Sequence, residues 1–172
     1  MTTLRLEERK LHKEQKQFKP SREKKQPFSI KVQTVDGSIE WVPWKTNSTD
    51  ACFNIKAKSF IDIYGEDQDE QNEYLLEPDE RVLAKTGFIL NLTPGWEAQI
   101  RTKMSFAIKI GLSVLDSPGT VDSSFKDEIG VILVNNGEQD INLSSGAEIA
   151  QMVITRVPYV KLWHVPDINK RY

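Results

Sequence analysis

Beyond residue 27 this chain has no apolar pattern long enough to make a helical face, and that limits its fold more than any other feature. Its apolar residues come in runs of at most about six, alternating with polar ones and broken by Gly, Pro, Asp and Ser. Residues 29–35 have period two, and Asp36-Gly37 then turns the chain into 38–42, a pattern that predicts a β-hairpin. Further strands are predicted at 49–57, 60–64, on both sides of Gly87 within 81–92, at 96–102 after Thr93-Pro94-Gly95, and at 139–143, 148–157 and 159–165. Residues 103–108 are the one candidate for a short helix. Many short strands with regular turns predict an all-β sandwich or barrel.

The centre of this pattern is the stretch 111–135. Two apolar runs, 112–115 and 129–134, flank a loop of Ser, Asp, Gly and Pro, and inside it Asp122 follows Val121 and precedes Phe125. A single loop aspartate is commonly a turn residue that caps its own backbone. Trp41 and Trp44, on either side of Pro43, read as core or interface anchors.

With 172 residues the chain has room for one domain with a real core. Its organisation is a charged N-terminal arm, 1–27, and a β domain, 28–172, with an acidic loop insertion at 65–80. Net charge is −2, which gives no global attraction to nucleic acid or anionic lipid. The total hides two opposed patches. Residues 1–26 hold nine Lys/Arg and four Glu, whereas 62–80 hold eight acidic groups after Asp62 and no Lys or Arg. The plainest reading of the two patches is a solvated tail and a solvated loop. A nucleic-acid arm is one alternative, and the basic arm of one subunit lying on the acidic loop of another is a third, each patch being a candidate protein-binding surface. Leu4, Leu11 and Phe18 recur every seven residues, too narrow a stripe for a stable lone helix. One cysteine, Cys52, excludes an internal disulfide, and His12 and His164 make a histidine-built metal site improbable. No apolar run spans a membrane and no apolar leader opens the chain. The expected setting is therefore intracellular and reducing, in the cytoplasm or a virus-type particle.

Taken in order, four segments resemble the motifs of the dUTPase family, trimeric β-jelly-roll enzymes that split dUTP into dUMP and pyrophosphate. Ala51-Cys52-Phe53-Asn54-Ile55-Lys56-Ala57 is similar to the first motif. Thr86-Gly87-Phe88 and Thr93-Pro94-Gly95-Trp96 have the spacing that precedes the second, which falls on Lys103-Met104-Ser105-Phe106-Ala107. Gly119-Thr120-Val121-Asp122-Ser123-Ser124-Phe125-Lys126-Asp127-Glu128-Ile129, ending in Asn135, resembles the third. Gly146-Ala147-Glu148-Ile149-Ala150-Gln151 resembles the fourth. The similarity covers residues 28–165. It implies a dUTPase-like jelly-roll or β-clip barrel and a homotrimer with active sites between subunits, a C-terminal strand (160–165) crossing to a neighbour. It also implies that Asp122 orients the water that attacks the α-phosphate. Phe125 would stack on deoxyribose and exclude a 2′-hydroxyl, Lys103, Ser105 and Gln151 would meet phosphate, and Mg2+ would accompany the triphosphate.

Several positions depart from the family pattern. Lys103 stands where the family has Arg, keeping the charge but losing the bidentate fork. Met104 replaces a hydroxyl donor, for which Ser105 is the nearest substitute. Asn54 replaces Asp, Cys52 and Asp127 replace Gly, Ala147-Glu148 replaces Asp-Arg, and the Gly-rich C-terminal arm is missing from the sequence. A triphosphate pocket with fewer cations and more carboxylates predicts a trimer without efficient catalysis, acting as a structural, assembly or binding protein. The alternative is an active dUTP diphosphatase working through Asp122. A third class, a dCTP deaminase relative, shares the implied fold, but the required loop shows no well-supported general-base Glu.

Overall fold

The computed structural model describes residues 28–65, 69–166 and 169. The charged arm, with its proposed heptad, lies outside the described residues. The all-β expectation is met. The strands are β1 (Lys31–Thr34), β2 (Phe53–Lys56), β3 (Ser59–Ile61), β4 (Glu73–Leu76), β5 (Arg81–Lys85), β6 (Phe88–Asn91) and β7 (Trp96–Arg101), then β8 (Leu112–Val114), β9 (Gly119–Val121), β10 (Gly130–Asn135), β11 (Ile141–Ser144) and β12 (Glu148–Arg156). One α-helix, α1 (Met104–Ile110), confirms the short helix expected after residue 102.

The strands form two four-stranded antiparallel sheets, β3-β5-β10-β8 and β2-β12-β7-β9, with two-stranded ribbons β1-β6 and β11-β4 beside them. Alternation decides which side chains enter the core. In β10 the buried residues are Val131, Leu133 and Asn135, with half-buried Ile132 and Val134 between them. These meet Phe60, Val82, Ala84, Leu112 and Val114 from the same sheet, and Ile55, Ala98, Ile100, Ile149 and Met152 from the other, in one continuous cluster. Leu76 and Leu143 extend that cluster from the β11-β4 ribbon.

Three sequence expectations are corrected. The hairpin over 29–42 does not form. Val32 and Thr34 pair instead with Leu90 and Phe88 of β6, while the Asp36 carboxylate accepts from Ser38 N at 2.9 Å and from Trp41 Nε1 at 3.0 Å. Those local bonds wind Ile39–Trp41 into a 3-10 turn capped by Ser38. Tertiary pairing and Asx chemistry together outcompete the two-strand pattern.

The acidic stretch 65–80 is not loop throughout. Within it β4 pairs with β11, placing Leu76 opposite Ile141, and Leu76 is fully buried. Two inward positions, Tyr74 and Leu76, suffice to hold the strand among charges that mask its period. The predicted strand over 159–165 is also absent from this chain. Tyr159 and Leu162 are more than nine-tenths exposed. The last backbone bond on this side runs from Val157 N to Gly95 O, 2.9 Å. A strand needs an edge to pair with, and among the described residues of its own chain 159–165 has none.

Besides β4, a second strand was not foreseen. Gly119–Val121 (β9) pairs with β7, so the loop between β8 and β10 crosses from one sheet to the other. Among the described residues no helix is long and apolar enough to cross a membrane.

Candidate functional site

Residues 122–129 form the loop from β9 to β10, and hydrogen bonds pin it at its far end. Thr86 Oγ1, fully buried, donates to Ile129 O at 2.7 Å, and Ile129 N donates to Phe88 O at 3.0 Å. Glu128 accepts from Gly87 N at 2.7 Å through one oxygen and pairs with Lys85 Nζ at 2.7 Å through the other. Glu128 was not singled out in the sequence, although a carboxylate beside a buried loop end is a reasonable anchor.

Asp122 opens the loop. Its Oδ1 accepts from Ser124 N (2.8 Å), Ser124 Oγ (2.5 Å) and Phe125 N (3.3 Å). This is the turn geometry that a lone loop aspartate predicts. The other oxygen, Oδ2, bonds to no protein group among the described residues. The Ser124 hydroxyl and amide, with smaller help from Phe125 and Lys126, hold the carboxyl below its ordinary value. Asp122 is therefore a fixed carboxylate, ionised at neutral pH, with one oxygen committed to the turn and one facing outward. Phe125, whose amide donates into that turn, is 41 % exposed.

A second cluster lies elsewhere on the chain. Gln151 of β12 sits between Asn54 of β2 and Arg101 of β7 in the ladder, so the three form one row across the sheet. Gln151 Nε2 donates to Thr102 O at 3.1 Å and fixes the backbone entering α1. Lys103 is the N-cap residue of that helix; its ammonium donates to Asn54 Oδ1 at 3.0 Å and makes a close ion pair with Glu148 Oε2. The sequence signal for this pair was present. Lys103 and Glu148 both replace family arginines, and a carboxylate gained opposite a retained cation is a natural couple. Ser105 is exposed in the first turn of α1 and meets none of these groups.

Register separates the clusters within one chain. Val121 pairs with Ala98 and Gly119 with Ile100, and Asp122 follows where that pairing ends, toward the Trp96 end of β7. Lys103 lies two residues beyond the other end of β7, in extended backbone before the helix, roughly 20 Å away at the usual rise per residue. No hydrogen bond or ion pair joins the two clusters among the described residues. Asp122 and Phe125 come together, as do Lys103, Asn54 and Gln151. A single chain does not bring both sets onto one small ligand.

Beside the Asp122 loop a cavity of about 170 Å³ runs along the outer edge of β9, with Phe125 at one side. Asp127 is exposed and is not part of its lining. Among the described residues no three His, Cys, Asp or Glu side chains are grouped to hold a metal. An ion used here would be held largely by ligand oxygens, as Mg2+ commonly is on phosphates.

Comparison with known proteins gives consistent results. A family model described as dUTPase matches residues 67–171. The chain is 34 % identical over 138 residues to a deoxyuridine 5′-triphosphate nucleotidohydrolase of Bartonella henselae, covering 80 % of this chain and 70 % of that protein. It is 51 % identical over 85 residues to the protein of that name from Agrobacterium fabrum, covering 49 % of this chain and 54 % of the relative. The chain thus spans about half the length of some relatives it matches and more of others. In fold it is similar to a mutant dUTPase from phage phi11 of S. aureus, whose structure describes a structural Mg(II) ion. The TM-score is 0.67 at 16 % identity, over 83 % of this chain and all of that one.

Proposed function

The chain belongs to the dUTPase family, and from that premise we propose that it hydrolyses dUTP to dUMP and pyrophosphate at sites assembled between copies of itself. The observation that carries this reading is Asp122: a carboxylate held by Ser124 and Phe125 through Oδ1 alone, with Oδ2 free of protein partners among the described residues and an exposed aromatic residue, Phe125, in the same turn.

In the proposed reaction a water held by Asp122 Oδ2 attacks the α-phosphorus. A bond forms from the water oxygen to that phosphorus, the bond to the bridging oxygen breaks, and pyrophosphate leaves. The proton lost by water passes to the carboxylate. Phe125 packs against the deoxyribose, where a 2′-hydroxyl would collide with the ring. Lys103 of a neighbouring copy meets the phosphates, which accounts for its separation from Asp122 in its own chain. A homotrimer provides three such junctions. Mg2+, carried on the phosphate oxygens, would neutralise charge there; neutral Asn54 adds none. Gln151 acts on the main chain before Lys103 rather than on phosphate directly.

The test is release of pyrophosphate from dUTP with Mg2+ by the wild-type chain and by Asp122→Asn. Release that falls sharply in the variant supports the proposal; an unchanged rate, or none in the wild type, refutes it.

One observation favours a second reading, a binding or assembly protein on the same scaffold. Lys103 is already occupied by Glu148 and Asn54. The quoted relatives are named as nucleotidohydrolases and lend no support to that loss of activity. It predicts no turnover even at high enzyme concentration.

A further inference from the structure

We infer that Glu128 is a positioning residue that sets this site's preference for deoxyribose over ribose. It does so by tying the loop that carries Phe125 to the turn between β5 and β6. This rests on the nucleotide reading above and deepens it by naming what holds the sugar platform in place.

Main-chain bonding leaves a gap in that loop. Phe125 N bonds only back to Asp122, at 3.3 Å to its carbonyl and 3.3 Å to Oδ1. At the other end Ile129 is held by Thr86 and Phe88. Between them, residues 126–128 make no main-chain hydrogen bond among the described residues. Side chains fasten this span, and two of them reach outside it. Lys126 Nζ donates to Asn91 Oδ1 at 3.2 Å, a single bond between exposed groups, where water competes for both partners. Glu128 makes two bonds, accepting from Gly87 N and from Lys85 Nζ, each at 2.7 Å. Both are charge-assisted, and the Glu128 side chain is only 15 % exposed. Glu128 is therefore the stronger tie, three residues from Phe125.

The groups that Glu128 grips are fixed in turn. Gly87 turns the chain at φ +76°, and a Cβ there would come within 2.7 Å of Trp41 Cγ and 3.1 Å of Lys58 Cδ. Trp41 is pinned there by its Nε1, which donates to Asp36 at 3.0 Å. Val35 N donates to Gly87 O at 2.9 Å, and Lys58 N to Lys85 O at 2.7 Å. The hold on the loop thus comes from packed structure. Exclusion of a 2′-hydroxyl by Phe125 is a steric effect and depends on where that residue stands. A loop freed to shift by about 1 Å makes room for the hydroxyl, a displacement large enough to change a rate by about 10²-fold.

The experiment measures pyrophosphate release from dUTP and from UTP with Mg2+ by the full wild-type chain, Glu128→Ala and Glu128→Gln. The readout is the ratio of kcat/KM for the two nucleotides. A change in folded fraction scales both rates alike and cancels in that ratio, so a merely structural tie leaves it unmoved. The ratio of dUTP to UTP should fall about tenfold or more in Glu128→Ala, the scale on which a pocket discriminates one small group. Glu128→Gln keeps an acceptor for Gly87 N and should recover part of the preference. Should Glu128→Ala not fold, Lys85→Met leaves the Gly87 bond in place and should show a smaller fall in the same direction. A ratio unchanged in variants that still turn over dUTP overturns the inference and leaves the hydrolase reading standing. If the wild type releases pyrophosphate from neither nucleotide, the hydrolase reading falls and this inference with it.

Discussion

Lys103 and Glu148, 45 residues apart in sequence, close an ion pair that also engages Asn54. Lys103 caps α1 and Glu148 begins β12, so a cation suited to phosphate is held by an internal anion. Incoming phosphate has to compete with that carboxylate. Glu148→Gln should strengthen binding of a non-hydrolysable dUTP analogue by about three- to tenfold, because a charge-assisted competitor is removed. Asn54 still accepts from Lys103, so the fold should lose about 1 kcal/mol or less. Titration calorimetry and thermal unfolding of the two proteins check both parts; unchanged affinity would mean the pair does not obstruct phosphate.

Asp122→Asn keeps the size of the side chain and removes its charge. Pyrophosphate release should fall by about 10²- to 10⁴-fold, the range for a positioned proton acceptor. The carboxyl is held below its ordinary value by Ser124, then Phe125 and Lys126. A depressed folded value means that its stabilising effect is present above the unfolded value, near 3.9, and is lost as pH falls through the folded one. A carboxyl-detected NMR titration should place its midpoint below 3.8.

The 20 Å or so between Asp122 and Lys103 gives a direct test of shared sites. Chains carrying Asp122→Asn and chains carrying Lys103→Ala should each be nearly inactive. Mixed and refolded together, they should recover about one quarter of wild-type turnover, since one site in four draws both intact residues from different chains. Light scattering on the wild type should give the mass of a trimer. Recovery no greater than the sum of the two variants would place both residues in one chain's site.

Tyr74 ties the acidic segment to the core. Its hydroxyl donates to Glu80 Oε1 at 2.6 Å, and Glu80 Oε2 accepts from Glu77 N at 2.8 Å. Burial, then the Glu80 carboxylate, push the phenol above its ordinary value. A raised folded value gives stability that is complete below the unfolded value, near 10, and is lost as pH rises beyond it. Tyr74→Phe should cost about 1.5–2 kcal/mol at pH 8. The gap between the two proteins in urea denaturation should narrow above pH 10.

Asn135 is fully buried, with Nδ2 donating to Leu76 O (3.0 Å) and Gln139 O (2.8 Å) and Oδ1 accepting from Gly137 N (2.9 Å). Asn135→Asp turns two donated bonds into carboxylate–carbonyl contacts. It should cost about 3 kcal/mol or more, read as a large fall in melting temperature, while surface Asn136→Asp should change little.

What the sequence by itself determined is local. Period-two runs and their turns specified strands in residues 81–101 and 130–156, because alternation and turn residues act within a few positions. The motif residues Asp122, Phe125, Lys103 and Gln151 were legible for the same reason, each lying in a short recognisable context. Tertiary structure decided what depends on a distant partner. It gave β1 to β6 instead of to residues 38–42, drew β4 out of an acidic stretch through Tyr74 and Leu76, and left 159–165 without an edge among the described residues of its own chain. It also joined Lys103 to Glu148 and Glu128 to Lys85. Pairing and charge compensation are energies between segments far apart in sequence, and a linear pattern records only one side of each.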